Sequence, residues 1–208
     1  MTRTYRQAKR AEAQEGTREK IVRATMALHL ERGIATTSYS DVAERSGVGA
    51  ATVYRHFPTM GSLVEACGAH FWQMIAPPGP ERAAAIFAEH SSRPVRIEML
   101  VRELDAFYAR GTAPLVSAVR DHDRVAELAL FLKEVRSAVA GLVAVALDEE
   151  PQTTPVKIVA AVADFTVWLA LSGTGVAREE RIRLMVAMID AAISLDKSGA
   201  GKSWREGG

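Results

Sequence analysis

A single cysteine, Cys67, is the only thiol in this 208-residue chain. One thiol can form no intramolecular disulfide and no cysteine-built metal cage. Long apolar runs are scarce as well. The longest stretches free of Asp, Glu, Lys and Arg are residues 66–80 and 165–177. Both fall short of the roughly 20 apolar residues of a membrane span, so no membrane partner is expected. The basic N-terminus is followed by no apolar run, so it does not read as a secretory signal, and the cytoplasm is the expected location. No phosphate-cradling glycine loop, zinc signature or nucleophile motif occurs. No catalytic residue, metal or cofactor is therefore expected, and the chain does not read as an enzyme. An excess of one charge is missing too: 26 basic and 25 acidic side chains leave a net +1, which by itself points to no polyanion.

What is present is an ordinary globular composition, 48% hydrophobic and 25% charged, with length for one large or two small cores. The near-zero net charge hides an asymmetry. Residues 1–60 carry ten basic and six acidic groups, net +4, and the remainder 16 and 19, net −3. A basic N-terminal quarter on a slightly acidic body suggests that one end meets a polyanion.

Residues 1–16 are polar and basic without apolar periodicity and read as a flexible arm. A first helix is expected from an N-cap at Thr17, with Ile21, Ala24, Thr25 and Leu28 at 3.6-type spacing and Gly33 at its C′ position. Ser38 and Asp41 form a capping-box pattern that opens a short helix ending at Gly47. Another helix runs from Ala50 to about Phe57, where Pro58 bars continuation. Thr59 can cap the next, a connecting helix within 59–76. Beyond the proline-rich break, helices are expected over 81–89, 94–109, 113–120, 124–147, 154–171 and 178–195. No period-2 strand pattern appears, and the Lys-, Ser- and Gly-rich residues 196–208 read as a disordered tail. The expected fold is all-α: a helix-turn-helix bundle over 17–58, joined to a larger regulatory and dimerisation domain over 59–195.

The stretch from Ser38 to Phe57 carries the sharpest signal. Two short helices flank a glycine turn. Ala43 is small enough for close packing, and Val42, Val48 and Val53 can fix the interhelix angle. In a helix-turn-helix the second helix enters the major groove. Ala50 and Ala51 can meet thymine methyls, Thr52 and Tyr54 offer hydroxyls, and Arg55 can fork onto guanine or clamp a phosphate. His56 adds a donor, and Thr17, Ser38 and Ser40 are candidate phosphate anchors at helix N-termini.

"TTSYSDVAERSGV" followed by "TVYRHF" and then P-x-x-x-x-L resembles the N-terminal domain of the tetracycline-repressor (TetR) family, over about residues 17–66. The resemblance implies a homodimeric transcriptional regulator, usually a repressor, released from a near-palindromic operator when a small molecule binds its C-terminal body. It implies DNA contacts from Ser40, Ala50, Ala51, Thr52, Tyr54, Arg55 and His56. Three positions depart from the family. Gly49 stands where Ser or Thr usually caps the reading helix. Met60 stands where a Lys usually meets phosphate, and the acid that usually follows it is Gly61. The basic arm, with Arg3, Arg6, Lys9 and Arg10, is expected to compensate. His29 replaces a core Phe and is expected to be a satisfied or half-exposed core histidine rather than a ligand.

In the body, the helix over 154–171 is apolar nearly all round and must be buried on two sides. The last helix shows two stripes, Ile182/Val186/Ile189/Ile193 and Leu184/Met188/Ala191/Leu195. Val156, Val159, Val167, Ile182, Val186, Ile189 and Ile193 are the candidate dimer interface, in line with the family's pairing of its last two helices. Met99, Phe107, Tyr108, Phe131, Phe165 and Trp168 are available to line an apolar effector pocket. Asp164 is singled out as a lone carboxylate in an apolar helix that needs a partner; Glu103, Asp105 and Arg136 are further polar candidates. Competing readings are an activator or ligand-independent regulator of the same fold, and a helical small-molecule-binding protein or enzyme with a vestigial helix-turn-helix.

Overall fold

The computed structural model describes residues 3–77, 79–90 and 92–199, and among these there is no strand. Ten helices follow in order: α1 (Arg3–Arg32), α2 (Tyr39–Ser46), α3 (Ala50–His56), α4 (Met60–Ile75), α5 (Pro80–Phe87), α6 (Arg93–Asp121), α7 (Ala126–Leu147), α8 (Thr154–Val162), α9 (Phe165–Ser172) and α10 (Arg178–Gly199). They form two compact units, one from residues 1–75 with 113–132, the other from 76–112 with 133–208. The expected boundary after residue 58 therefore moves. α4 belongs with the N-terminal unit because Leu63 and Cys67 complete its core beside Ile21, Leu28, Val42, Val53 and Phe57. Phe71 of α4 packs on Phe131 of α7, ring centroids 5.9 Å apart.

The segment read as a flexible arm is helical from Arg3 onward and continuous with α1. Its residues Ala8, Ala11, Glu12, Ala13, Gln14 and Glu15 are good helix formers, which outweighs the missing apolar period. Thr17 is consequently not an N-cap. Its hydroxyl donates back to the Ala13 carbonyl at 2.9 Å. The first helix ends as expected: Gly33 takes φ 99° and its N–H donates to the His29 carbonyl at 3.0 Å.

One expected break, between 94–109 and 113–120, does not occur, and one unexpected break does. α6 runs unbroken through Gly111 and Pro114. The proline removes one N–H, and buried Leu115 and Ala118 just beyond it hold the backbone in line. Conversely, the segment expected as one helix over 154–171 breaks between α8 and α9. The Ala163 carbonyl turns to accept the Tyr108 hydroxyl at 2.9 Å. Asp164 then caps α9, accepting the Thr166 N–H at 2.8 Å. The carboxylate that needed a partner finds it two residues away. Thr154–Ser172 is nonetheless long and apolar enough to cross a membrane by length and composition, contrary to the expectation of no such segment. The capped break and the buried Val156, Val159, Phe165 and Trp168 make it part of the core of its own unit. α10 continues to Gly199, past the expected start of a tail; residues 200–208 lie outside the described residues.

Cys67 is buried against the Val22 carbonyl, and burial pushes its thiol up to about 12 despite the nearby Arg18 charge. A thiol so held is almost never a thiolate at neutral pH. Native protein is expected to leave Ellman's reagent unreacted until denaturant is added, and stoichiometric reaction of the folded protein would contradict this burial.

Candidate nucleic-acid interface

The candidate interface is built by local hydrogen bonds that lock α2 against α3. Ser38 extends its backbone (φ −109°, ψ 163°) and its hydroxyl accepts the Asp41 N–H, while the Asp41 carboxylate accepts the Ser38 N–H. Ser38 and the Arg32 ion pair hold the Asp41 carboxyl below the usual carboxylate range. Gly47 then reverses the chain at φ 64°, its N–H returned to the Ala43 and Glu44 carbonyls. A left-handed residue is needed there, and glycine supplies it without steric cost. α3 starts at Gly49 with no side-chain cap, the consequence of the glycine that departs from the family pattern.

One side of α3 is sealed and the other is open. Val53 and Phe57 are fully buried, whereas Ala50, Ala51, Tyr54 and Arg55 are exposed and Thr52 and His56 half-buried. Ala50, Ala51, Tyr54 and Arg55 thus share the outer face of the helix, with Thr52 and His56 on its flanks. Tyr54 stacks on Tyr39 with ring centroids 4.1 Å apart and planes 20° from parallel. Tyr39 is itself fixed, its hydroxyl donating to the Phe57 carbonyl at 2.9 Å. Sequence reasoning did not single out Tyr39; a second tyrosine one residue after the cap was the available signal. The Arg18 guanidinium sits 5.0 Å over the Phe57 ring, which brings α1 to the C-terminal end of α3. Ser40 is exposed, with its hydroxyl 3.1 Å from that of Ser38. Thr17 is half-buried and spends its proton within α1.

The turn between α1 and α2 is anchored by Asp121, at the end of α6. Its carboxylate accepts the N–H groups of Ile34 at 2.7 Å and Ala35 at 3.2 Å. Arg120 pairs with it at 3.0 Å. The Arg120 hydrogen bond first, then these backbone donors against the cost of burial, lower the Asp121 carboxyl to about 2. His29 beside it is buried, and its Nε2 has no partner among the described residues. Burial lowers its pKa to about 4 against the pull of Asp121. The imidazole is a neutral core residue, neither half-exposed nor satisfied at Nε2, where the sequence predicts a satisfied or half-exposed core histidine. No cluster of metal-ligating side chains occurs among the described residues.

Met60, where a phosphate-binding lysine is usual, packs on the core of the reading head. A Cβ on Gly61 would collide with the Glu127 carboxylate. The N-terminal end of α4 therefore faces an acid of its own chain.

The candidate effector residues are divided. Phe107, Tyr108, Phe165 and Trp168 are all buried and pack ring on ring in the core of their unit, with centroids 5.3–5.9 Å apart. Met99 is half-buried and Asp164 is committed to the α9 cap. Phe131 is not among them: it lies in the other unit, on Phe71 and Trp72. The buried carboxylate of that aromatic core is Asp105. It accepts from Trp168 Nε1 at 2.8 Å, Arg178 at 2.6 Å and Arg181 at 2.7 Å. A separate cleft of about 390 Å³, lined by Phe87, His90, Arg96 and Val145 among others, contains none of the candidate residues.

The dimer candidates need revision. Val156, Val159, Ile182, Ile189 and Ile193 are buried within their own unit, where α10 packs on α8 and α9; Val167 and Val186 are half-buried. The other α10 stripe is the outward one, with Leu184, Met188 and Leu195 exposed and Ala191 beside them.

Residues 21–67 match the family model of bacterial regulatory proteins, tetR family. No curated protein matches the sequence. Among solved structures, the chain is similar to one assigned to the TetR family from Mesorhizobium loti MAFF303099, at TM-score 0.62 and 16% identity over 88% of this chain and 97% of that one. It is similar to the flavonoid-responsive regulator FrrA at TM-score 0.61 and 19% identity, over 87% and 95%. A tetR-family regulator from Streptomyces coelicolor follows at 0.56 and 18%, over 89% and 85%. These likenesses establish an all-α fold of the same kind along most of the chain.

Proposed function

We propose that this chain, whose residues 21–67 match the family model of bacterial regulatory proteins, tetR family, is a cytoplasmic, dimeric repressor that reads a near-palindromic operator and is released by a small apolar molecule. The observation that carries the reading is the outer face of α3. Ala50, Ala51, Tyr54 and Arg55 are exposed together on a helix whose inner face, Val53 and Phe57, is locked in the core. A helix so held can present a fixed set of groups to base edges and phosphates. The outward stripe of α10 supports a partner copy. Two-fold pairing would set two reading helices about 34–36 Å apart. The buried aromatic cluster of Phe107, Tyr108, Phe165 and Trp168, with half-buried Met99 on the same helix as Tyr108, is the proposed seat of an effector of apolar, aromatic character, and Phe131, in the other unit, is left out of it.

Selection of bound sequences from a random duplex library tests the core of the reading. Inverted half-sites one helical turn apart are the expected result. On the selected site, Arg55→Ala is expected to weaken binding by about tenfold to a hundredfold and to relax preference at one position in each half-site. Equal affinity for the selected and scrambled sites would overturn the reading.

A further inference from the structure

We propose that the N-terminal extension of α1 is a second DNA-contacting surface, one that lies along the phosphates flanking the sequence read by α3. This rests on the DNA-binding reading above. α1 reaches the reading helix at Arg18, whose guanidinium covers Phe57 just past the end of α3. The helix continues for fifteen further residues toward its N-terminus. Residues 5–15 are exposed at every position, so the extension is a helix with no packing partner on any face among the described residues. At about 1.5 Å per residue it extends some 20 Å, several phosphate spacings.

The charges on it make little sense in isolation. Arg6, Lys9 and Arg10 stand at i, i+3 and i+4 and share one face, where like charges repel. Arg3 adds a fourth basic residue at the start of the helix, and no acid occupies the first turn. Cations there oppose the helix dipole, whose positive end is the N-terminus. Glu12 lies one turn beyond Lys9, yet no ion pair joins them, and none engages Arg6 or Arg10 among the described residues. Within the bundle, by contrast, Arg32 and Arg45 are neutralised by Asp41 and Glu31, and the α4 N-terminal end faces Glu127. Arg6, Lys9 and Arg10 thus place three cations without an ion pair, among the described residues, on one exposed face of this extension. A polyanion relieves both the mutual repulsion and the dipole conflict.

The test compares the full chain with the triple variant Arg6→Gln/Lys9→Gln/Arg10→Gln; glutamine keeps helix propensity while removing charge. The probes are a random-sequence duplex three helical turns long and the selected operator, titrated over a range of potassium chloride concentrations. The log–log salt slope of the variant is expected to be shallower by about 0.9 for each phosphate it no longer neutralises. Trimming the operator flanks is expected to weaken the wild type and leave the variant unchanged. The thermal midpoint, set by the buried core, is expected to be the same for both. Parallel salt plots would overturn the proposal while leaving the α3 reading intact. A variant that keeps the full DNA slope but no longer binds phosphatidylserine vesicles, where the wild type does, would also overturn it, in favour of a membrane surface. Failure of the wild type to bind any duplex would overturn both this proposal and the reading beneath it.

Discussion

Replacing Asp105 with alanine is expected to cost about 3–5 kcal/mol of folding stability, the usual consequence of removing one partner from a buried ion pair. Asp105 is 1% exposed and serves three donors from two other helices, Trp168 on α9 and Arg178 and Arg181 on α10. Without it the indole N–H and the Arg181 guanidinium, 12% exposed, stay in the interior unpaired. Arg181 also lies 5.3 Å over the Trp168 ring, so its displacement would disturb the aromatic core. A domain holds only about 5–15 kcal/mol in total, which places the variant near the threshold of unfolding. Burial alone would raise the Asp105 carboxyl; the hydrogen bonds from Trp168, Arg178 and Arg181 outweigh that and hold it below the usual carboxylate range. The stabilising contribution is therefore complete above the unfolded-state value of about 3.9 and is lost as pH falls through the lower folded value. Urea unfolding of both proteins at neutral pH and at successively lower pH checks this. A gap that narrows below about pH 4 is expected, and a gap under about 1 kcal/mol at neutral pH would contradict it.

What the sequence discloses follows the range of the interactions involved. The reading head is legible because its devices are local. Ser38 and Asp41 are three residues apart and Gly47 closes the same turn, so the spacing alone dictates the capping box and the left-handed reversal. The inward side of α3 follows from Val53 and Phe57, one turn apart. The body is less legible because its choices are made between distant residues. Two apolar stripes on α10 have the same period, and only packing against α8 and α9 turns Ile182 and Ile189 inward. Asp164 looked like a carboxylate in need of a distant partner, yet the Asp-Phe-Thr spacing is itself a capping pattern. The carboxylate that does have distant partners, Asp105, sits on α6 among ordinary charged neighbours, and its donors follow 63 to 76 residues later. Phe131 could be assigned to no unit from spacing, because α7 itself passes from one unit into the other.

The outward stripe also changes how dimerisation should be tested. Trp168→Glu would have been the natural probe of an interface on the apolar helices, but Trp168 is 4% exposed and donates to Asp105. A charge there would unfold its unit before it reported on a partner. Leu184 and Met188, 38% and 40% exposed, lie one turn apart on the outer face of α10 and can be changed without opening the core. The double variant Leu184→Glu/Met188→Glu is expected to keep its helical circular dichroism and thermal midpoint but to sediment at the mass of one chain, where the wild type sediments at that of two. Each copy carries one reading helix, so a monomer engages one half-site at a time. Losing the linkage between two heads removes their effective-concentration advantage, commonly a factor of about 10² to 10⁴. Affinity for the selected operator is expected to fall by that order, while affinity for an isolated half-site is unchanged. A double variant that still sediments as a dimer and binds the full operator at wild-type strength would place the partner against some other face. A variant that sediments as a monomer and yet retains full operator affinity would mean that one head suffices, and the near-palindrome would lose its rationale.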